Sequence, residues 1–274
     1  MSTLTITDLT KEYGDVTALQ EVSFEIEDDE FVVLLGQSGA GKSTLLRCLN
    51  GLTKPTGGYI HLDDTKLTGS REDVAMIFQQ HNLVEELSAF GNALSGSLSR
   101  TGFARSVLQL NAEGDRLQAL DALDTVGLLG EAEQMVSRMS GGQQQRVGIA
   151  RALVQNPGLM LADEPVASLD PASAERVMGY LKTAAKEYNV ATLASLHQVN
   201  IARYFGERFL GLKDGELVFD GGKDELTRGV IDDIYGEVET VGMGVPEGES
   251  LNEQTDLDAV AEDDPEIAVQ GGAQ

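Results

Sequence analysis

The sequence predicts an α/β fold: a glycine-rich turn leaves a buried central strand, an antiparallel β subdomain precedes it, and an α-helical subdomain is inserted after it. Three observations carry this. The run Phe31 to Leu35 (FVVLL) is continuously apolar and leads straight into GQSGAGKST. Strand-like and helix-like segments alternate from Gly158 to Tyr235, and between these two regions residues 85–138 change to an Ala- and acid-rich stretch. An unbroken apolar run is what a strand buried on both faces looks like, and strand-helix alternation is the pattern of a parallel sheet covered by helices.

Taken in order, Leu4 and Ile6, then Val22, Phe24 and Ile26, alternate with polar residues, which predicts strands with one wet face. After FVVLL and its turn, Lys42 to Leu49 reads as a helix, stopped by Asn50 and Gly51. Leu117, Leu120, Leu123 and Val126 recur at helical spacing, so a helical subdomain is expected over about residues 85–139. GLMLA (Gly158 to Ala162) and VATLASL (Val190 to Leu196) read as buried strands, separated by a helix with Asp170 as N-cap and Pro171 at its first position. FLGLKDGELVF, with Asp214 and Gly215 at its centre, reads as a hairpin. Periodicity fades past Tyr235, so the expected division is one domain over residues 1–236 and an acidic, disordered tail over 237–274.

The chain carries 45 acidic against 20 basic side chains, a formal charge of −25. Eleven of the acids, and no Lys or Arg, fall between Glu237 and Gln274, yet the rest of the chain is acidic too. Such a field repels DNA and anionic lipid and argues against a nucleic-acid partner. Only 8 of the bases are Lys. An acidic, Lys-poor composition suits a halophilic cytoplasm, because at molar salt the screening length falls to roughly 3 Å and self-repulsion is damped. Cys48 is the single cysteine, which excludes an internal disulfide and fits a reducing compartment. The N-terminus shows no secretory leader, and no stretch approaches the ~20 apolar residues that span a bilayer.

Gly36 to Thr44 matches G-x-x-x-x-G-K-[ST] in full. Each residue type has a physical task in a phosphate-binding loop. Gly39 and Gly41 let backbone N–H groups curl around a β-phosphate, the following helix N-terminus adds partial positive charge, Lys42 reaches the β- and γ-phosphates, and Ser43 ligates Mg²⁺. The second half of such a site needs an acid at the end of a neighbouring strand. LMLADEP offers Asp163 to hold the metal and Glu164 to polarise an attacking water.

The segment MSGGQQQRVGIARAL (Met139 to Leu153) closely resembles the signature motif of ATP-binding cassette (ABC) ATPases. Other motifs of that family stand in the family's order: Tyr13 at the position of the adenine-stacking aromatic, Gln79 in MIFQQ at the Q-loop, Asp170 in SLD at the D-loop, and His197 at the switch histidine. The resemblance spans roughly Leu4 to Tyr235. It implies a P-loop (RecA-like) ABC ATPase core, ATP and Mg²⁺ as cofactors, and Glu164, His197 and Lys42 as the catalytic set. ATP is then bound by Tyr13, Gly36, Gln37, Ser38, Gly39, Ala40, Gly41, Lys42, Ser43, Thr44 and Gln79, and from a second copy by Ser140, Gly141, Gly142, Gln143 and Asp170. Ser43, Gln79 and Asp163 form the implied metal set. Three departures stand out: Met139 in place of Leu, and Asp29 and Asp64 where the family commonly has Gly.

FQQHNLVEELSAFGNALSG, ADEPVASLDP and the closing DELTRGVIDDIYGE look like the ATP-binding subunit of phosphonate importers. That resemblance implies a homodimer on the cytoplasmic face of the membrane, beneath transmembrane permease subunits fed by an extracytoplasmic substrate-binding protein. Two alternatives stand beside it: an importer for phosphate, phosphite or polar amino acids, and a soluble ABC ATPase outside transport. A single phosphate loop and the lack of sustained heptads count against the second.

Overall fold

The computed structural model describes residues 4–63, 65–67, 69, 72–80, 82–99 and 113–236. The acidic tail expected from Glu237 onward, and Asp64, lie outside the described residues. In chain order the strands are β1 (Leu4–Tyr13), β2 (Val16–Ile26), β3 (Phe31–Leu35), β4 (Gly57–Leu62), β5 (Thr65–Lys66), β6 (Val74–Ile77), β7 (Leu159–Asp163), β8 (Ala191–Ser195), β9 (Arg208–Lys213) and β10 (Glu216–Gly222). The described α-helices are α1 (Lys42–Leu49), α2 (Ala89–Leu94), α3 (Glu113–Thr125), α4 (Gly141–Val154), α5 (Pro171–Glu187), α6 (Val199–Phe205) and α7 (Arg228–Tyr235).

The strands form two sheets. An antiparallel sheet runs β2-β1-β4-β5, and a six-stranded sheet runs β10-β9-β3-β8-β7-β6. In the second, β9, β3, β8, β7 and β6 are parallel and β10 adds an antiparallel edge. The β9–β10 hairpin turns through Asp214 (φ 49°) and Gly215 (φ 85°), the two left-handed residues that a tight hairpin matching the strands' twist requires. Asp29 stands at φ 55°, so the turn into β3 keeps a left-handed residue even where glycine is replaced.

Strands β3, β6, β7 and β8 of the six-stranded sheet are buried on both faces, and the period of two along β3 sorts its side chains between two cores. Phe31, Val33 and Leu35 pack with α2 to α7, whereas Val32 and Leu34 pack with α1 and the antiparallel sheet. A slip of one residue would exchange the two sets, so the register is strongly specified.

The helical region holds one surprise. Its α3 buries Ala119, Ala122 and Leu123, with Val126 just beyond, while Leu117 of the leucine pattern is 57% exposed. The buried stripe follows the i, i+3, i+4, i+7 rule through alanines, because small side chains let α3 approach α2 and α4 closely. No described helix is long and apolar enough to cross a membrane.

Candidate active site

Parallel strands bring their C-terminal ends to one edge of the sheet, the usual place for a ligand crevice. Here β3 leads into Gly36, β7 ends at Asp163 and β8 ends at Ser195. Register sets their proximity: Ser195 is paired with Leu34 on one side and Asp163 on the other.

The glycine loop is held tightly at its base. Gly36 (φ 155°) and Gly41 (φ 105°) adopt conformations that L side chains rarely take, and a Cβ at either would fall within 2.5 Å of a carbonyl oxygen, from Leu212 and Ala18 respectively. Gln37, Ser38 and Gly39 are exposed at the crest, while Ala40 is buried beneath them and Thr44 is half-buried on α1. Lys42 folds back under this crest, and its buried ammonium donates to the Gly36 carbonyl at 2.7 Å and the Gln37 carbonyl at 3.0 Å. Burial pushes the Lys42 pKa down, and the negative charges of Glu164 and Asp163 pull it back up. An ammonium so placed gains from any added anion in the loop.

Three polar side chains meet beside α1. The Ser43 hydroxyl donates to Asp163 Oδ1 at 3.0 Å, and the Ser195 hydroxyl donates to the same oxygen at 3.1 Å. Ser195 Oγ also accepts from the Glu164 backbone N–H at 2.9 Å. Glu164 itself is a left-handed residue, φ 50°, a conformation that costs on the order of 1–3 kcal/mol in a non-glycine residue and persists only where its surroundings enforce it. His197 Nε2 lies 2.5 Å from Glu164 Oε1 and completes the cluster. A hydroxyl and one carboxylate of hard oxygens fit Mg²⁺, which keeps waters and phosphate oxygens as its other ligands. Among the described residues no group of three or more His, Cys, Asp or Glu could hold a metal ion by itself.

The remaining positions lie apart from this cluster. Gln79 is exposed two residues beyond Ile77 of β6, the strand beside β7. Tyr13 is half-exposed at the end of β1, with the Lys11 ammonium 4.6 Å from its ring centroid. Ser140 caps α4 in a full capping box: its hydroxyl accepts from Gln143 N–H at 3.3 Å, and Gln143 Oε1 accepts from Ser140 N–H at 2.9 Å. Gly141 and Gly142 lie against Leu169 and Ser173, so this helix start neighbours the α5 start, where Asp170 accepts from Ser173 N–H at 3.0 Å. No hydrogen bond or ion pair among the described residues ties Ser140, Gln143 or Asp170 to the glycine loop of the same chain.

Two participants escaped the sequence reading. Ser195 binds both acids of the site, and its only signal was a hydroxyl at the end of a buried strand in ASLH. The Gln37 amide donates to the Tyr235 carbonyl, a contact that no local pattern announces.

Comparison with known proteins agrees with this fold. The family model described as ABC transporter matches residues 19–167. The phosphonates import ATP-binding protein PhnC of Halobacterium salinarum is 66% identical over 240 residues, spanning 88% of this chain and 86% of its own. The phosphite import ATP-binding protein PxtA of Stutzerimonas stutzeri is 49% identical over 228 residues, 81% of this chain and 82% of its own. Among solved structures, a dimeric ATP-binding cassette in a post-hydrolysis state with ADP and Pi is similar with a TM-score of 0.67 at 34% identity, covering 80% of this chain and 98% of that one. Further relatives from Haloquadratum walsbyi join the Halobacterium protein, in keeping with the halophilic composition. By sequence and by fold, the chain belongs to the ABC transporter family, as one of its ATP-hydrolysing subunits.

Proposed function

We propose that this ATPase is the motor of a phosphonate importer, acting as a homodimer on the cytoplasmic face of the membrane with two permease subunits and an extracytoplasmic binding protein. The supporting observation is the joining of Ser43, Asp163, Ser195, Glu164 and His197 into one cluster beside the Lys42 loop. Backbone N–H groups of the loop receive the phosphates, and Lys42 leaves the Gly36 and Gln37 carbonyls for the β- and γ-oxygens. Ser43 and Asp163, with Gln79 reaching in from beyond the end of β6, would hold Mg²⁺, which would supply positive charge against the charge developing on the phosphates. Glu164 accepts a proton from the attacking water, and His197 steadies the γ-phosphate. Tyr13 stacks on the adenine.

One chain supplies half of each site. The α4 start, with Ser140, Gly141, Gly142 and Gln143, and the neighbouring Asp170 face the ATP held by the other copy, because a helix N-terminus with an exposed hydroxyl suits a γ-phosphate. ATP binding thus closes the dimer and drives the permease, while hydrolysis resets it. Gln79 links the nucleotide to the helical subdomain, which receives the permease.

The cargo rests on the relatives' names, and the phosphite-import relative makes phosphite the second reading. Uptake of a labelled alkylphosphonate by cells lacking this gene is the test. Wild-type chain restores uptake and Glu164→Gln does not; uptake unchanged by loss of the gene overturns the phosphonate reading, and restoration with labelled phosphite alone replaces it with the second.

A further inference from the structure

The helix α7 ends on the phosphate loop. Ile231 and Ile234 are buried, and Ile234 packs so closely on β9 that a Cβ at Gly211 would stand 2.6 Å from its Cδ1. This seating carries Tyr235 to the loop across 198 positions of sequence, where the Gln37 side-chain amide donates to the Tyr235 carbonyl. The Tyr235 hydroxyl is buried beside the Gly36 backbone without completing a hydrogen bond of ordinary geometry. Burial pushes the phenol pKa up, and the Gly36 backbone opposes the rise. Gly236 then takes φ 75° and ψ 170°, a region open essentially to glycine alone, and a Cβ there would stand 3.4 Å from Gln37 Nε2.

Gly36 and Gln37 are the two residues whose carbonyls hold Lys42. We propose that Tyr235 is a positioning residue for ATP binding, which through Gln37 and Gly36 sets where the carbonyls cradling Lys42 stand and so keeps the loop in its phosphate-receiving shape. A loop rich in glycine loses much backbone freedom on ordering, so an external anchor lowers the cost of receiving a ligand. Lys42 cannot be that anchor, since it leaves both carbonyls when it turns to a phosphate. The Gln37 bond to Tyr235 does not depend on Lys42. The inference rests on reading this loop as the ATP site.

The test is steady-state ATP hydrolysis by the full chain in Mg²⁺ and ATP, with Tyr235→Phe to remove the phenol oxygen and Gly236→Ala to displace the carbonyl. Gly236→Ala should raise KM for ATP three- to tenfold with kcat within twofold of wild type, and Tyr235→Phe, which keeps the carbonyl and loses only the phenol oxygen beside Gly36, should raise KM by less. A merely structural role would lower kcat with the folded fraction and leave KM alone. KM changed less than threefold in Gly236→Ala overturns the proposal, and so does a fall in its kcat without a change in KM. Wild type that turns over ATP is the control separating this inference from the site reading; without that turnover both fall.

Discussion

His197 Nε2 sits 2.5 Å from Glu164 Oε1, so the proposed general base and the proposed phosphate-sensing histidine are partners of each other. The histidine ring is about one-third exposed and the glutamate less so, which places the pair at the mouth of the site. Replacing His197 by Ala frees the carboxylate but leaves it without orientation. A positioned base contributes about 10²–10⁴ in rate. Hydrolysis by His197→Ala should therefore fall by about 100-fold while equilibrium binding of ATP stays within a fewfold. An unimpaired rate would remove His197 from the mechanism.

Ser195 makes a second, more structural claim. Its hydroxyl is fully buried, donates to Asp163 and accepts from the N–H of the left-handed Glu164. Ser195→Ala leaves that partly buried N–H unpaired and takes a buried donor from Asp163, at a cost of about 1–3 kcal/mol. The melting temperature should drop by roughly 2–12 °C at about 2–4 °C per kcal/mol, with hydrolysis reduced about tenfold as Glu164 loses its fixed backbone. Scanning calorimetry and a phosphate-release assay read both; no change in either would show that the hydroxyl is dispensable.

Much of this architecture was written in short stretches of sequence. The buried strand of β3, the glycine loop after it, the Asp214–Gly215 turn and the Ser140–Gln143 capping box depend on residues within a few positions of each other, and local physics decides them. The covered face of α3 was not legible, because leucine spacing marks a helix without saying which face is covered, and Ala119 and Ala122 allow a closer approach than Leu117. Ser195 and Tyr235 were illegible for another reason. Their partners lie 31 and 32 positions away for Ser195 and 198 for Tyr235, and only strand order and the docking of α7 bring them together.

Salt dependence follows from charge. With 45 acids against 20 bases, self-repulsion opposes the compact state until counterions screen it. Raising KCl from about 0.1 M to about 3 M shrinks the screening length from roughly 10 Å to below 3 Å. The melting temperature should climb by about 10 °C or more, equivalent to roughly 3 kcal/mol. A flat curve would contradict the halophilic account.

Cys48 provides a pH test. Burial pushes its thiol up to about 11 from 9.0, with Lys11 drawing it partly back. Between these values the folded chain keeps a proton that the unfolded chain has lost. Stability contributed by this group is therefore intact below about pH 9 and lost as pH rises toward 11. Alkylation by iodoacetamide should be slow in the folded protein at pH 8 and faster in urea, and the stability difference between wild type and Cys48→Ala should narrow above pH 9. Rapid labelling of the folded protein at pH 8 would contradict the buried, protonated thiol.

The central claim is that ATP joins two copies, each completing the other's site with Ser140. Sedimentation velocity of Glu164→Gln, with and without saturating ATP and Mg²⁺, tests it most directly. The account predicts a shift from the 29.3 kDa chain to a species of twice that mass on adding ATP, abolished when Ser140→Arg is combined with Glu164→Gln. A Glu164→Gln protein that binds ATP and stays monomeric would contradict it.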